Sequence, residues 1–132
     1  PKISIPKSVT EISDYSFSDC DNLRFVKFHD DSELAYIGQC AFSKSSIENF
    51  CVPKKVTFVG ECAFSMCSFL KSIEFLGEDL MCKKFCFYLC QNLFLVSFPN
   101  SKKVPIQINT LDKVSKNFAL FVCPNSKLIT ND

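Results

Sequence analysis

Ile12 to Phe28, ISDYSFSDCDNLRFVKF, returns as near-copies at Ile37 to Val52, Val59 to Phe75 and Cys82 to Phe98. The apolar residue that closes each copy, taken with its matches at the two ends of the chain, forms the series Ile5, Phe28, Val52, Phe75, Phe98 and Val122. These are separated by 23, 24, 23, 23 and 24 residues. Two positions earlier stands a second apolar series, Ile3, Val26, Phe50, Ile73, Val96 and Leu120. Three positions before that comes a third, Leu23, Ile47, Leu70 and Leu93. Each copy therefore has the form L-x-x-L-x-L, and alternation over its last positions is what a strand with one buried side requires.

Between these strands the pattern changes. Val9 and Ile12, Leu34 and Ile37, and Val56 and Val59 are spaced by three, and Phe17, Phe42 or Phe64 follows five residues later. Ser16, Ala41, Ala63 and Cys86 precede the Phe, and Cys20, Ser45, Cys67 and Cys90 stand three after it. Segments this short, with one large apolar residue in the middle, are expected to form a single helical or 3₁₀ turn. Pro6, Pro53 and Pro99 follow the strands directly, where a missing N–H ends a ladder.

A repeat of about 20–29 residues with this strand signature marks a solenoid whose units each cover the open apolar side of a neighbour. IPKSVTEISDYSFSDCDNLRFVKF resembles the BspA-type leucine-rich repeat, with its proline-ended strand, V-T-x-I step and A-F-x-x-C turn. KKVTFVGECAFSMCSFLKSIEF and SELAYIGQCAFSKSSIENFCV carry the same features, so the likeness spans roughly residues 3 to 98. The expected fold is a leucine-rich-repeat solenoid, right-handed and of about five units. A parallel sheet should form one side, and short helical turns and short strands the other.

Departures from the repeat mark its ends. In the fourth copy Leu80 is one place out of register, Cys82 takes the Ile position and Lys83 the Gly position, which predicts a looser return path. The unit from Pro99 puts Thr110 or Leu111 where Phe belongs and Asn117 where Leu belongs, yet FALFVCP, from Phe118 to Pro124, restores a strand. This divides the chain into the tail of a preceding repeat (1–5), four regular repeats (6–98), an irregular terminal repeat (99–124) and a polar tail (125–132). Ile3 and Ile5 resemble the end of a strand whose first half is missing. With no initiator Met or leader at Pro1, the chain is expected to be part of a longer array.

Composition narrows function mainly by exclusion. A 47% hydrophobic content in 132 residues suffices for a continuous core, filled here by fifteen Phe and no Trp. Fifteen basic against fourteen acidic residues give no excess charge to predict nucleic acid as a partner. No apolar run approaches the length of a membrane span. Gly38, Gly60 and Gly77 are the only glycines, too few for a phosphate-cradling loop. His29, the single histidine, follows a strand end beside Asp30 and Asp31 and is expected to be a surface turn residue rather than a general base.

Nine cysteines cannot all pair within the chain. Cys82, Cys86 and Cys90 are spaced by four and would share a helix face, an arrangement that could gather thiolates onto zinc. The repeat already explains Cys86 and Cys90 as occupants of small-residue columns. Cys67 with Cys90, and Cys40 with Cys62, occupy equivalent places in neighbouring units, close enough for disulfides in an oxidising compartment. Free thiols are the expected state, and no metal or cofactor is expected.

With the L-x-x-L-x-L residues turned inward, Arg24, Phe25, Lys27, Glu48, Asn49, Lys71, Ser72, Glu74, Phe94 and Leu95 face outward on the sheet side. Solenoids use such a sheet as a broad docking face. The apolar pair Phe94 and Leu95 would either contact a partner or lie under the segment after Pro99, with cover expected. No catalytic constellation is present, so a non-catalytic binding module is expected, with a structural spacer as the alternative and a cysteine-based metal or redox site as a third. The resemblance implies a surface or secreted protein that engages host or matrix proteins; the chain is expected to be a monomer, with a protein of host, matrix or self origin as its partner. Thiols that all prove free would instead suit the cytoplasm.

Overall fold

Period-two alternation becomes strand wherever the repeat closes, and a shorter strand forms at each V-x-x-I step. In chain order these are β1 (Lys2–Ile5), β2 (Glu11–Ile12), β3 (Phe25–Phe28), β4 (Tyr36–Ile37), β5 (Asn49–Val52), β6 (Phe58–Val59), β7 (Ser72–Phe75), β8 (Met81–Cys82), β9 (Leu95–Phe98) and β10 (Ala119–Val122). The computed structural model describes residues 1–102, 106, 107, 109, 110, 113, 114 and 119–122, the last four by backbone alone. All pairing is parallel between successive units, as a coil with one strand per side per turn demands. On the back, β2, β4, β6 and β8 form one sheet, which Cys82 extends by a bridge to Ile106. On the front, β1 pairs with β3, and β5, β7, β9 and β10 form a second sheet.

The register confirms the repeat arithmetic. Val26 lies opposite Ile3, Ile73 opposite Phe50, Val96 opposite Ile73 and Leu120 opposite Val96. In the fourth unit Met81 and Cys82 pair in register with Phe58 and Val59, and Leu80 and Cys82 are both buried, so the back ladder runs through it unbroken. In the fifth, the Phe87 N–H donates to the Thr110 carbonyl as that of Phe64 does to Cys86, which sets Thr110 in the small-residue column before the Phe. Leu111, Asn117, Phe118, Cys123, Pro124 and the tail 125–132 lie outside the described residues.

The return segments correct one expectation. They form neither helix nor 3₁₀ turn among the described residues, but a run of turns. The N–H groups of Tyr15, Phe17 and Asp19 donate to Gln39, Ala41 and Ser43 of the next coil, while those of Ser16 and Ser18 donate back to Ser13 and Tyr15. Cys40, Phe42 and Lys44 repeat this toward Glu61, Ala63 and Ser65, and Cys62, Phe64 and Met66 toward Lys84, Cys86 and Tyr88. A helix would use every N–H within itself. Spending alternate ones on the neighbouring coil goes with a left-handed residue two places before and two places after the central Phe. Tyr15 and Asp19, Cys40 and Lys44, Cys62 and Met66, and Phe85 and Leu89 all have φ between 53° and 60°. For residues with a Cβ that conformation costs roughly 1–2 kcal/mol each, which the inter-coil bonds must offset. Asn109 and Lys113 carry the same pair into the fifth unit.

Two glycines answer to the same stacking. A Cβ on Gly38 would lie 2.6 Å from the Asp14 backbone nitrogen, and one on Gly60 2.6 Å from that of Gln39. No side chain fits between coils there without displacing backbone.

Inside, Phe17, Phe42, Phe64 and Phe87 lie in one row with ring centroids 5.2, 5.5 and 5.9 Å apart and near-parallel planes. Phe50 meets Phe42 and Phe64 edge-on, Phe75 meets Phe87 edge-on, and Phe75 stacks on Phe98 at 4.9 Å. Rings without polar atoms leave nothing unsatisfied in such a row.

The front sheet has one interruption, since no ladder joins β3 to β5. From Cys20 to Leu23, Cys67 to Leu70 and Cys90 to Leu93 the chain advances three residues, whereas Ser45 to Ile47 advances two. One residue short, the approach to β5 is tied back through Ser46, whose N–H donates to the Cys20 carbonyl and whose hydroxyl donates to the Asp21 carbonyl. Pro53 then removes the N–H that could reach back after β5. Pro99 has the same effect beyond β9, where the pairing with β7 stops at Ser97.

Phe64 is fully buried between two stacked rings, so Phe64→Ala should cost about 3–5 kcal/mol in guanidinium unfolding. Phe17→Ala should cost clearly less, because Phe17 is only partly buried and stacks on one side.

Candidate binding face

The outward residues of the front strands fall into columns set by the ladder. Asn49, Ser72 and Leu95 lie side by side, and so do Cys51, Glu74 and Ser97. Arg24, Glu48, Lys71 and Phe94 form a further row at the strand starts. There the Glu48 N–H donates to Arg24, that of Lys71 to Glu48 and that of Phe94 to Lys71. Arg24, Lys27, Asn49, Lys71 and Glu74 are exposed, Glu48, Ser72 and Leu95 are half-buried, and Phe25 and Phe94 remain 44% and 49% exposed. Leu95 is flanked by Ala119 of β10, whereas Phe94 stays open.

Polar side chains on this face bond along columns: the Ser72 hydroxyl donates to Asn49 Oδ1 at 2.8 Å and that of Ser97 to Glu74 Oε2 at 3.4 Å. The cations do not join in. Among the described residues the ion pair is Lys55 with Glu33, at 3.0 Å, away from this surface. Arg24, Lys27 and Lys71 make no side-chain hydrogen bond or ion pair with a described residue. Phe69, 57% exposed before β7, adds an aromatic that the strand pattern does not reveal.

The back of the coil carries a second ordered surface that the front-face pattern hides. Tyr36 and Phe58, one place before the buried Ile37 and Val59, stack at 5.0 Å with planes 4° apart, and Lys83 Nζ lies 5.4 Å from the Phe58 ring centre. The Tyr36 hydroxyl is 3.5 Å from Asp14 Oδ1, which also accepts the Gln39 N–H at 2.8 Å. The signal is the column Glu11, Tyr36, Phe58 and Met81, visible once the short strands are aligned. At the corner after β3, His29 is exposed, and its Nδ1 accepts the Asp31 N–H at 3.0 Å, so it shapes its own turn.

The cysteines sort by column. Cys67 and Cys90 are buried and donate their thiol protons to the Phe42 and Phe64 carbonyls of the preceding coil, at 3.1 and 2.9 Å. Ser45 serves in the same column. Cys20, Cys40, Cys51, Cys62, Cys67, Cys82, Cys86 and Cys90 are all free thiols. Cys82, Cys86 and Cys90 are all buried, and Cys86 lies close to Cys82. Among the described residues no group of three His, Cys, Asp or Glu side chains is placed to hold a metal. Contact with Cys67, together with burial, raises the Cys90 thiol far above its usual range, and burial, then Cys82, does the same for Cys86. Burial, with Cys40 beside it, pushes Cys62 to about 11.

A family model described as "BspA type Leucine rich repeat region" matches residues 1–114 in six copies, reaching into the unit whose sequence departs from the pattern. The crystal structure of a leucine-rich repeat protein from Bacteroides ovatus is similar at 22% identity, with a TM-score of 0.45 over 92% of this chain and 45% of that one. The chain thus spans less than half the length of that protein. No curated protein matches. No helix among the described residues is long and apolar enough to cross a membrane.

Thiols held neutral by the fold bind protons that the unfolded chain releases above pH 9, so stability should be full below that pH and fall as pH rises through the raised values. The denaturation midpoint is therefore expected to drop as pH rises from 9 to about 11. The double variant Cys86→Ala with Cys90→Ser, residues that Ala63 and Ser45 already provide in the same columns, should flatten the decline.

Proposed function

Since the chain belongs to the BspA type leucine-rich repeat family, we propose that it is a non-catalytic protein-binding module that docks partners on its front sheet. The observation that carries this reading is the set of unpaired cations on that face. Arg24, Lys27 and Lys71 project beside the exposed rings of Phe25, Phe69 and Phe94 and make no intramolecular ion pair among the described residues. Arginine and aromatic side chains that are free in the monomer are the kind that gain most when a partner desolvates them. Glu48 and Glu74 lie among the cations, so the face offers both signs of charge at fixed spacing and selects by pattern rather than net charge.

The partner in this proposal is a protein, of host, matrix or self origin, and the site is the ten-residue face from Arg24 to Leu95. Display at a cell surface or in a secreted chain fits the family. The buried thiols suit that setting as well as a reducing one, because Cys67 and Cys90 are already committed to backbone carbonyls. The array from 6 to 98, closed by the unit from Pro99, is proposed to act as one continuous platform.

Replacing Arg24, Lys71 and Glu74 together with Ala should leave the circular dichroism spectrum and melting temperature nearly unchanged. Affinity for an immobilised matrix-protein extract, read by surface plasmon resonance, should fall about tenfold or more, mostly through slower association. Equal binding by both proteins would favour a spacer over a docking module.

A further inference from the structure

The interrupted seam between β3 and β5 opens a cavity of about 320 Å³ on the front face. Its floor is apolar, built from Val26, Phe28, Pro53 and Leu76, and Lys27 and Lys54 stand at its rim. Both lysines are exposed, and neither makes a hydrogen bond or ion pair with a described residue. Asp30 is the carboxylate among the lining residues, so the rim keeps a positive balance. His29, also in the wall, is held by its own turn through Asp31.

What could enter is limited by the coils themselves. Phe17 and Phe42 stack at 5.2 Å across this seam, and Phe28 and Phe50 meet at 5.7 Å. A further strand would need coils about 9.6 Å apart, twice the strand spacing, so no chain can intercalate. A single side chain can. The floor suits a leucine- or phenylalanine-sized group, and two unpartnered ammonium groups beside it suit carboxylates on the residues that flank it.

We infer that this cleft is a docking slot for an acidic peptide segment, taking one large apolar side chain onto Phe28, Pro53 and Leu76 and the flanking carboxylates onto Lys27 and Lys54. The inference rests on the front sheet being the docking face and names the chemistry recognised at one point on it. It also gives a role to the residue missing between Ser45 and Ile47. A loop of ordinary length would let β5 pair with β3 and close the slot.

The test is a ¹⁵N-edited NMR titration of the whole chain with the peptide acetyl-Glu-Glu-Leu-Phe-Glu-Glu-amide. Shifts are expected at the amides of Lys27, His29, Cys51 and Lys54. Binding should weaken about tenfold or more for the Lys27→Glu and Lys54→Glu double variant, which alters exposed side chains only. It should weaken as much when Leu-Phe is replaced by Gly-Gly or the four Glu by Lys. Insertion of one Asn between Ser46 and Ile47 should slow amide exchange across residues 49–52 and abolish the shifts. Equal binding of the acidic and basic peptides, unchanged binding after the seam is closed, or no shift at all would overturn the slot. Shifts confined to Arg24 and Lys71 would overturn it too while leaving the docking face standing, and the triple alanine variant judges that face independently.

Discussion

Everything in this molecule depends on how the return segments spend their backbone N–H groups. Alternate donors from Tyr15 to Asp19 cross to the next coil, and the rest close tight turns at home. This fixes the stacking distance, and the stacking distance fixes the core. Rings set one per coil must meet face to face at a little over 5 Å, and only a flat side chain without polar atoms fills that row without voids or unsatisfied groups. The left-handed residues are the cost of this arrangement, borne here by Tyr, Asp, Cys, Lys, Met, Phe, Leu and Asn and by no glycine. Glycine is kept for Gly38 and Gly60, where the limit is space between coils rather than φ.

Much of this could be read from the residues. The columns ending in Phe28, Val52, Phe75 and Phe98 gave strand positions and register directly, because a period of two within strands and of 23 or 24 between them leaves little freedom. The helical turn expected after Ile12 was misjudged for a physical reason. Short apolar-centred segments with small flanking residues satisfy a helix turn and an inter-coil ladder equally well, and nothing in the local sequence says where the N–H groups go. The ladder prevails because each crossing bond is repeated in every coil.

The candidate face was legible as a set of outward positions, since inward columns define outward ones. Its uneven features were less so. Phe69 lies before the strand and escapes the alternation, and Tyr36 and Phe58 belong to strands two residues long, too brief for any period to show. The seam could be found only by counting loop lengths: two residues from Ser45 to Ile47 against three in the other coils. Repeat proteins hide information of this kind well, because a missing residue looks like tolerated drift until its effect on pairing is known.

That seam also bears on mechanics. Across it β2 still pairs with β4 at the back and Phe42 still stacks on Phe17 inside, while the front holds no ladder. A stack stitched along its spine and loose at one place on its open edge behaves as a book does at a broken page. Opening there breaks no strand pair, only the bonds from Ser46 and Glu48 to Cys20, Asp21 and Arg24, so bending strain applied to the array concentrates between β3 and β5.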